Sequence, residues 1–338
     1  MRQIWITKAG DPEVLQVKES PEPIPRNGEL RIKVEAAGVN PADILGRAGR
    51  YSAAPPVPYV AGFEVSGVVD MVTQGVTGFK EGDKVLAYTD FGGHSDTVCV
   101  PYLQTFKRLD WMSAQDGAAL LVDYLSAYIT LVVMGSLHLG DNVLIHNVMD
   151  GIGIAGLEIC RLVGAKIFGI APLDKHDLLR QRGLDFPIDT REHDYERVIR
   201  ETTDGRGVDI VLNRFIGSDM KKDYRVLAPT GRLIYMDTAI IDDLSRSSWT
   251  QFLQPITTAS KISVIELARD SKSIAGFNLA NLWSHGEIIQ DWMKQIISWY
   301  DEALFRPVID KTFSFDQAAD AHRYAQSQEN IGKILLLP

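Results

Sequence analysis

The feature that most constrains the fold is a change in the spacing of apolar residues near residue 120. Up to about residue 118, short apolar alternations are separated by proline and glycine, as in ELRIKVEAAGV, VSGVVDMV and KVLAY. Alternation with a period of two and frequent turn residues is typical of strands, so this part predicts an all-β, barrel-like domain. From Leu120 onward, strand-like and helical segments alternate, which predicts a parallel, doubly wound sheet. The chain is therefore predicted to be an α/β protein with two domains.

Individual elements of that sheet can be predicted from the second part of the chain. The strand DNVLIH precedes a glycine-rich loop and the amphipathic helix IGIAGLEICRLVGA. We predict a strand for KISVIEL and a long helix for EIIQDWMKQIISWYDEAL, where apolar residues recur at helical spacing. The last residues are predicted to form strand, short helix and strand, and to return to the first domain. The predicted domains are 1–118 with 305–338, and 119–304.

Composition limits the partners. A net charge of −9 and a pI near 5.3 would repel nucleic acids and anionic membranes, so we expect a small organic ligand and neither of those partners. No run of 18 apolar residues appears, and the start MRQIWITKAGDPEVLQV has no apolar signal-peptide core, so a cytoplasmic location is expected. Cys99 and Cys160 are too few for a disulfide framework or a four-cysteine zinc site.

Several motifs together resemble a known family. GVNPADILGRAGRY, PYVAGFEVSGVV, LVDYLSAYITL, GVDIV and NIGKILLLP occur in the order seen in the medium-chain dehydrogenase/reductase superfamily. More narrowly, they resemble its quinone-oxidoreductase branch and the VAT-1-like proteins within it. The resemblance implies a GroES-like β-barrel domain built from both termini, a Rossmann domain, a homodimer, and NADPH used for hydride transfer to quinones or enones. Zinc-using relatives carry a histidine where this chain has Phe63, so no zinc is expected.

The loop after DNVLIH departs from the family's phosphate-binding pattern. The first and middle glycine positions correspond to Val148 and Asp150, whereas Gly151 and the packing glycine Gly153 remain. A carboxylate about 4–5 Å from a pyrophosphate costs roughly 3–4 kcal/mol at an effective dielectric near 20. Asp150 can also cap the helix and take the N–H groups that would bind phosphate. The alternative is an ordinary N-cap in a loop that shifts to admit the nucleotide.

Other nucleotide-facing positions depart as well. The acid that would hold the ribose of NAD is absent, since Ala171 ends KIFGIA and Pro172 follows it. The resemblance places the 2′-phosphate contacts at Pro172, Lys175 and Thr190, with Arg191 adjacent. Lys175 and Arg191 could grip that phosphate or be ordinary surface charges. Around the nicotinamide, bulky or polar residues replace small ones at Asn213, Arg214, Phe215, Ile216, Tyr235, Met236 and Asp237. The remaining positions assigned to a nucleotide are Ile152 and Asn330.

The substrate-facing positions implied by the resemblance are Asn40, Asp43, Tyr51 and Ser126. A tyrosine hydroxyl can donate a hydrogen bond to a carbonyl oxygen as it becomes negative, so Tyr51 is the main candidate. The alternative is that Tyr51 only packs beside the loop AAPPVPY. Arg214 and Asp237 would need partners if buried, which favours a functional role or a mutual ion pair.

Three functions remain open from the sequence. The favoured one is a non-redox cyclisation, conjugate addition or isomerisation of a conjugated carbonyl compound, with no cofactor. The alternative is an NADPH-dependent quinone or enone reductase, with NADPH as the nucleotide if one binds. A non-catalytic binding protein like the VAT-1-like relatives is the third.

Overall fold

The structure is a computed structural model that describes residues 1–214, 220–236, 262–282 and 285–338. Within these ranges the predicted strand and helix segments form elements, with one exception given below. In chain order they are β1 Arg2–Ile6, β2 Leu15–Glu19, β3 Glu29–Val39, α1 Pro41–Arg47, β4 Tyr59–Val60, β5 Glu64–Val72, β6 Lys84–Tyr88, β7 Thr97–Pro101, β8 Thr105–Lys107, α2 Ala114–Tyr128, β9 Asn142–Ile145, α3 Gly151–Val163, β10 Lys166–Ile170, α4 His176–Gln181, β11 Phe186–Ile188, α5 Tyr195–Thr202, β12 Val208–Asn213, α6 Met220–Val226, β13 Leu227–Met236, α7 Val264–Asp270, β14 Ser273–Phe277, α8 Gly286–Asp301, β15 Ile309–Ser314, α9 Ala318–Ser327 and β16 Lys333–Leu337.

The chain divides into two compact units. Unit 1 contains Met1–Leu125 and Leu279–Pro338, and unit 2 contains Ser126–Asn278. In unit 1 one described sheet has the order β15-β16-β3-β5-β6-β8, with β7 also paired to β3, and a second has the order β2-β1-β4. The antiparallel pairing of β16 with β3 joins the end of the chain to this sheet. Its core is lined by inward-facing aliphatic side chains of β3, β5, β6 and β7, as the period of two requires.

Unit 2 holds a parallel sheet. Its order over the described strands is β11-β10-β9-β12-β13-β14, and every pair in it is parallel. This is the doubly wound order of a Rossmann fold, so the predicted α/β class with a parallel sheet is confirmed. In such sheets ligands bind outside the carboxyl ends of the strands, near the point where the strand order reverses. That point lies between β9 and β12.

One predicted strand is wrong. KISVIEL leads into helix α7, because Ser263 and Glu266 form a capping box: the Glu266 N–H donates to the Ser263 hydroxyl, and the Glu266 carboxylate accepts from the Ser263 N–H. The apolar residues Val264 and Ile265 are 79% and 78% exposed, so they supply no buried strand face. The edge strand of this region is β14, a few residues later.

One helical stretch among the described residues is long and apolar enough to cross a membrane by length and composition. It covers Ala114–Met134, that is, α2 and its π-helical continuation Ile129–Met134. In its most apolar window, 78% of the residues are buried inside the protein, as in the core helix of a soluble protein. Asp116 and Asp123 interrupt it, in keeping with the lack of a long unbroken apolar run in the sequence.

Candidate functional site

In the loop between β9 and α3, the carboxylate of Asp150 is hydrogen-bonded to other groups of the same loop and of the helix start. Asp150 is the N-cap of α3, and its Oδ1 accepts a hydrogen bond from the Gly153 N–H at 2.9 Å. Its Oδ2 accepts from Asn147 Nδ2 at 3.1 Å. Asn147 has φ +50°, the left-handed conformation that asparagine tolerates better than most residues. The predicted capping by Asp150 is confirmed, and a carboxylate therefore lies where a helix amino terminus attracts anions.

The partner of Asp150 is Arg214, which directly follows β12. The Arg214 guanidinium forms an ion pair with Asp150 Oδ2. Arg214 is 5% exposed, so it is buried as the sequence analysis considered, and its acidic partner is Asp150. Asp237, the other partner considered, lies outside the described residues, as do Phe215 and Ile216. Because Arg214 neutralises the carboxylate, the repulsion of a pyrophosphate is smaller than for an unpaired Asp150.

The two altered glycine positions, 148 and 150, have different roles: Asp150 caps α3, whereas Val148 packs into the core. The side chain of Val148 is fully buried, and a Cβ placed on Gly169 would lie 2.8 Å from its Cγ1. Position 148 therefore packs into the core beside β10, contrary to the expectation that it faces the phosphate. Gly153 has the predicted packing role, since a Cβ there would lie 2.3 Å from the Asn147 carbonyl oxygen. Next to it, Gly151 is half-buried and Ile152 is buried.

The cations predicted for a 2′-phosphate are paired with acids. Arg191 binds Asp189 through Nε and its NH2 group, the latter at 2.5 Å. The hydrogen bond from Arg191 is the main reason that the pKa of Asp189 lies well below its usual value. Lys175 Nζ lies 3.4 Å from the carboxylate of Asp174, and Thr190 is exposed. A 2′-phosphate would have to compete with these carboxylates for both cations.

A buried carboxylate that sequence reasoning missed lies under the carboxyl edge of this sheet. Asp223 on α6 is fully buried and accepts hydrogen bonds from four side chains. They are His146 Nε2 at 2.9 Å and Tyr195 Oη at 2.8 Å on Oδ1, and Asn213 Nδ2 at 2.5 Å and Tyr235 Oη at 3.2 Å on Oδ2. Burial alone would raise the pKa of Asp223, but His146 and these hydrogen bonds lower it, so the carboxylate is ionised.

In unit 1, the predicted residues Asn40 and Asp43 are part of a buried polar network. Asn40 and Asp43 form the capping box of α1, with the Asn40 N–H donating to Asp43 Oδ2 at 2.8 Å. Asp43 Oδ1 accepts the N–H of Gly62 at 2.8 Å, and His94 Nε2 lies 3.9 Å from Oδ2. Burial raises the pKa of Asp43. Both side chains thus hold α1 against its neighbours.

Asn40 also connects to an ion cluster absent from the sequence prediction. Lys333 Nζ lies 2.6 Å from Glu64 Oε1, 3.1 Å from Asp123 Oδ2 and 2.8 Å from Asn40 Oδ1. Glu64 Oε2 accepts the N–H of Val122 at 2.7 Å. All four polar side chains are buried, and the acids hold the pKa of Lys333 above its usual value against the effect of burial. We call Asn40, Glu64, Asp123 and Lys333 the Lys333 cluster.

The remaining predicted residues have modest local roles. Tyr51 is half-buried, and its ring meets Phe63 edge-on with centroids 6.0 Å apart, which agrees with the packing alternative without testing the catalytic one. Ser126 is 2% exposed and accepts the Thr130 hydroxyl at its carbonyl oxygen. Asn330 donates to the Gly332 carbonyl oxygen at 2.8 Å.

Phe63 lies where the zinc-using relatives have a histidine, and the centroid of its ring is 5.0 Å from that of Phe91. No group of three or more histidine, cysteine or acidic side chains arranged to hold a metal occurs within the described part of the chain.

Comparisons with known proteins agree with this fold. The alcohol dehydrogenase GroES-like domain family matches residues 26–118, and the zinc-binding dehydrogenase family matches residues 182–336. The chain is 34% identical over 333 residues to the mouse synaptic vesicle membrane protein VAT-1 homolog, covering 96% of this chain and 80% of that protein. It is 29% identical to human quinone oxidoreductase over 100% of this chain and 98% of that one. The crystal structure of human synaptic vesicle membrane protein VAT-1 homolog-like protein superposes with a TM-score of 0.87 at 28% identity, covering 100% of this chain and 98% of that chain.

Proposed function

The chain belongs to the medium-chain dehydrogenase/reductase superfamily, close to quinone oxidoreductases and VAT-1 homologs, and from this premise we propose that it is an enzyme that does not use its nucleotide site for hydride transfer. Its reaction is a cyclisation, conjugate addition or isomerisation of a conjugated carbonyl compound. The observation that carries the proposal is the Asp150 carboxylate on the Gly153 N–H, paired with buried Arg214.

The energetic argument concerns competition for one anion site. A pyrophosphate at the amino terminus of α3 needs the free N–H groups there, and Asp150 already holds that of Gly153. To make room, the Asp150 side chain must leave both Gly153 and Arg214. Breaking a largely buried ion pair by removing one partner costs roughly 3–5 kcal/mol, and the nucleotide's contacts would have to offset that cost. The residues present therefore fit a dinucleotide poorly.

The proposed chemistry needs only positioning and polarisation. An enone gains negative charge on its carbonyl oxygen when it isomerises or adds a nucleophile, and hydrogen-bond donors lower that barrier by several kcal/mol. We assign a donor role of this kind to Tyr51 in unit 1 and, separately, to Arg214 in unit 2. Asn40 and Asp43 fix α1, which leads to Tyr51, and Ser126 is assigned to the substrate side.

The second candidate is an NADPH-dependent quinone or enone reductase. It is supported by the full-length similarity to human quinone oxidoreductase and by the packing glycine Gly153. Neutralisation of Asp150 by Arg214 also favours it, because a neutral pair repels phosphate less than a free carboxylate does. We further propose a cytoplasmic homodimer with the domain boundaries predicted from the sequence.

Calorimetric titration with NADPH and NADH separates the two candidates. We expect no detectable binding of either nucleotide to the unaltered protein and measurable NADPH binding by Asp150→Gly, because this variant frees the Gly153 N–H and the Arg214 guanidinium for a phosphate. Asp194→Gly is the matched control, because Asp194 is the N-cap of α5 in the same unit. Micromolar NADPH binding by the unaltered protein would overturn the proposal, as would equal gains in both variants.

A further inference from the structure

Asp223 has a place in the fold that its sequence position does not reveal. Three of its four donors stand at the carboxyl ends of strands: His146 directly follows β9, Asn213 ends β12, and Tyr235 is the next-to-last residue of β13. These strands are neighbours in the parallel sheet, in the order β9-β12-β13. One carboxylate on α6 therefore ties together three adjacent strand ends at the edge where such sheets bind ligands.

Two of these donors directly precede, in the sequence, the residues whose side chains bind the Asp150 carboxylate. His146 is followed by Asn147, whose Nδ2 donates to Asp150, and Asn213 is followed by Arg214, which forms the ion pair. A side chain that is fixed by a short hydrogen bond restricts the backbone of its own residue and of the next. The bonds from His146 and Asn213 to Asp223 therefore limit where both partners of Asp150 can stand.

From this arrangement we propose that Asp223 is the positioning residue that holds Asn147 and Arg214 around Asp150, and so keeps the anion site of α3 filled by the protein itself. The inference deepens the proposed function, and its expected effect on NADPH affinity rests on that function. Asp223 makes no contact with Asp150 among the described hydrogen bonds and ion pairs, so it acts through His146 and Asn213.

The chemistry of the carboxylate explains why aspartate suits this place. An ionised carboxylate has about four lone-pair positions and no donor, and here each oxygen accepts two hydrogen bonds. An asparagine would direct an NH2 group at one of these pairs, each made of a tyrosine hydroxyl and a nitrogen donor; the hydroxyl can turn to accept, but the nitrogen donor loses its acceptor. A leucine would remove the acceptor of all four hydrogen bonds. Either change should loosen the three strand ends, because unsatisfied buried donors are costly.

The first test measures amide hydrogen exchange of the full-length protein over residues 147–153. In Asp223→Asn we expect exchange of this segment to rise by about tenfold or more, the factor that corresponds to losing one charge-assisted hydrogen bond. The matched control is Asp209→Asn, which removes a largely buried carboxylate from β12 at its opposite end, where Asp209 is paired with Arg206. Unchanged exchange at 147–153 in a folded Asp223→Asn protein would overturn the proposal.

A gentler pair of variants keeps the test decisive if Asp223→Asn fails to fold. Asn213→Ala removes the bond next to Arg214, whereas Tyr195→Phe removes a bond to the same carboxylate from a residue that precedes no site residue. We expect faster exchange at 147–153 in Asn213→Ala and little change in Tyr195→Phe. Equal effects of the two would mean that Asp223 is only a general stabiliser.

The second test is a double-mutant cycle read by NADPH affinity, which a purely structural role would not move. We expect Asp223→Asn to bind NADPH detectably, which the unaltered protein does not, and the double variant with Asp150→Gly to bind no tighter than Asp150→Gly alone. A double variant that binds NADPH more tightly than Asp150→Gly would contradict the inference. If the unaltered protein already binds NADPH at micromolar concentration, the proposed function fails, while the exchange experiment still decides whether Asp223 positions the loop.

Discussion

Asp43 in unit 1 and Asp150 in unit 2 each accept a backbone N–H at the start of a helix, and they differ in what surrounds them. Asp43 in α1 is 1% exposed and accepts two backbone N–H groups, with no lysine or arginine bonded to it in the described part of unit 1. The Asp150 side chain at α3 is 19% exposed and is paired with Arg214. An aspartate thus stabilises buried backbone N–H groups in unit 1, whereas in unit 2 it occupies the amino terminus of α3, where an anion could otherwise bind. Variants in the first region should change stability, and variants in the second should change ligand binding.

The largest expected effect comes from the Lys333 cluster. Lys333→Met leaves the buried acids Glu64 and Asp123 without their cation, which should lower the free energy of unfolding by roughly 3–5 kcal/mol. Lys33→Met is the control, since Lys33 is paired with Glu22 at the surface and its loss should cost about 0–1 kcal/mol. Urea unfolding measures both. A stability loss below 1 kcal/mol for Lys333→Met would contradict the expectation that variants in this region change stability, because the Lys333 cluster would then contribute little to it.

The next effect compares the two caps directly. Asp43→Ala leaves the N–H groups of Asn40 and Gly62 without their acceptor in a buried site, so we expect a loss of roughly 2–4 kcal/mol of stability. Asp150→Ala combined with Arg214→Met, which leaves no buried charge unpaired, should cost only about 1 kcal/mol, the usual cost of losing an N-cap. Chemical denaturation of both variants measures the two losses in the free energy of unfolding. Equal losses would show that the two caps do the same work.

The smallest effect is a pH dependence in unit 1. His322 on α9 is fully buried, and neither ring nitrogen has a hydrogen-bond partner among the described residues. Burial, with nearby His94 and Arg47, lowers the pKa of His322 well below its usual value of 6.5. The unfolded chain therefore binds a proton below about pH 6.5 that the folded protein does not, so folded stability falls as the pH falls.

His322→Phe removes this proton uptake. Relative to the unaltered protein, the variant should gain stability between pH 6.5 and pH 5 by up to about 1.4 kcal/mol per pH unit. Urea unfolding at pH 7.0 and pH 5.5 gives the difference, and Asp43, whose pKa burial raises, titrates in both proteins and largely cancels. A difference that does not vary with pH would refute this account of His322.

Local signals in the sequence were enough for most of the fold. Alternation of strand and helix predicted the parallel sheet, and aspartate before a glycine-rich helix start predicted the cap at Asp150. KISVIEL was misassigned because a short apolar run suits both a strand and a helix. The spacing of Ser263 and Glu266 is a capping-box signature that could have identified helix α7.

The site itself depends on contacts between distant segments, which no local pattern contains. Asp223 stands in the charged stretch KKDYR, which looks like a solvated helix face, and its donors come from residues 146, 195, 213 and 235. Arg214 was identified as a new polar group, but its pairing with Asp150 joins residues 64 positions apart. Val148 was assigned by its place in a motif, whereas its side-chain direction depends on Gly169.

The contact between Val148 and Gly169 makes a change at either position costly. Glycine at 148 would empty a fully buried site and lose roughly 1.5–3 kcal/mol of burial. A larger residue at 169 cannot fill that space while Val148 is present, because its Cβ would lie 2.8 Å from Val148 and from Leu184. The two positions form one packing unit, and an engineer who wants glycine at 148 should begin with paired substitutions.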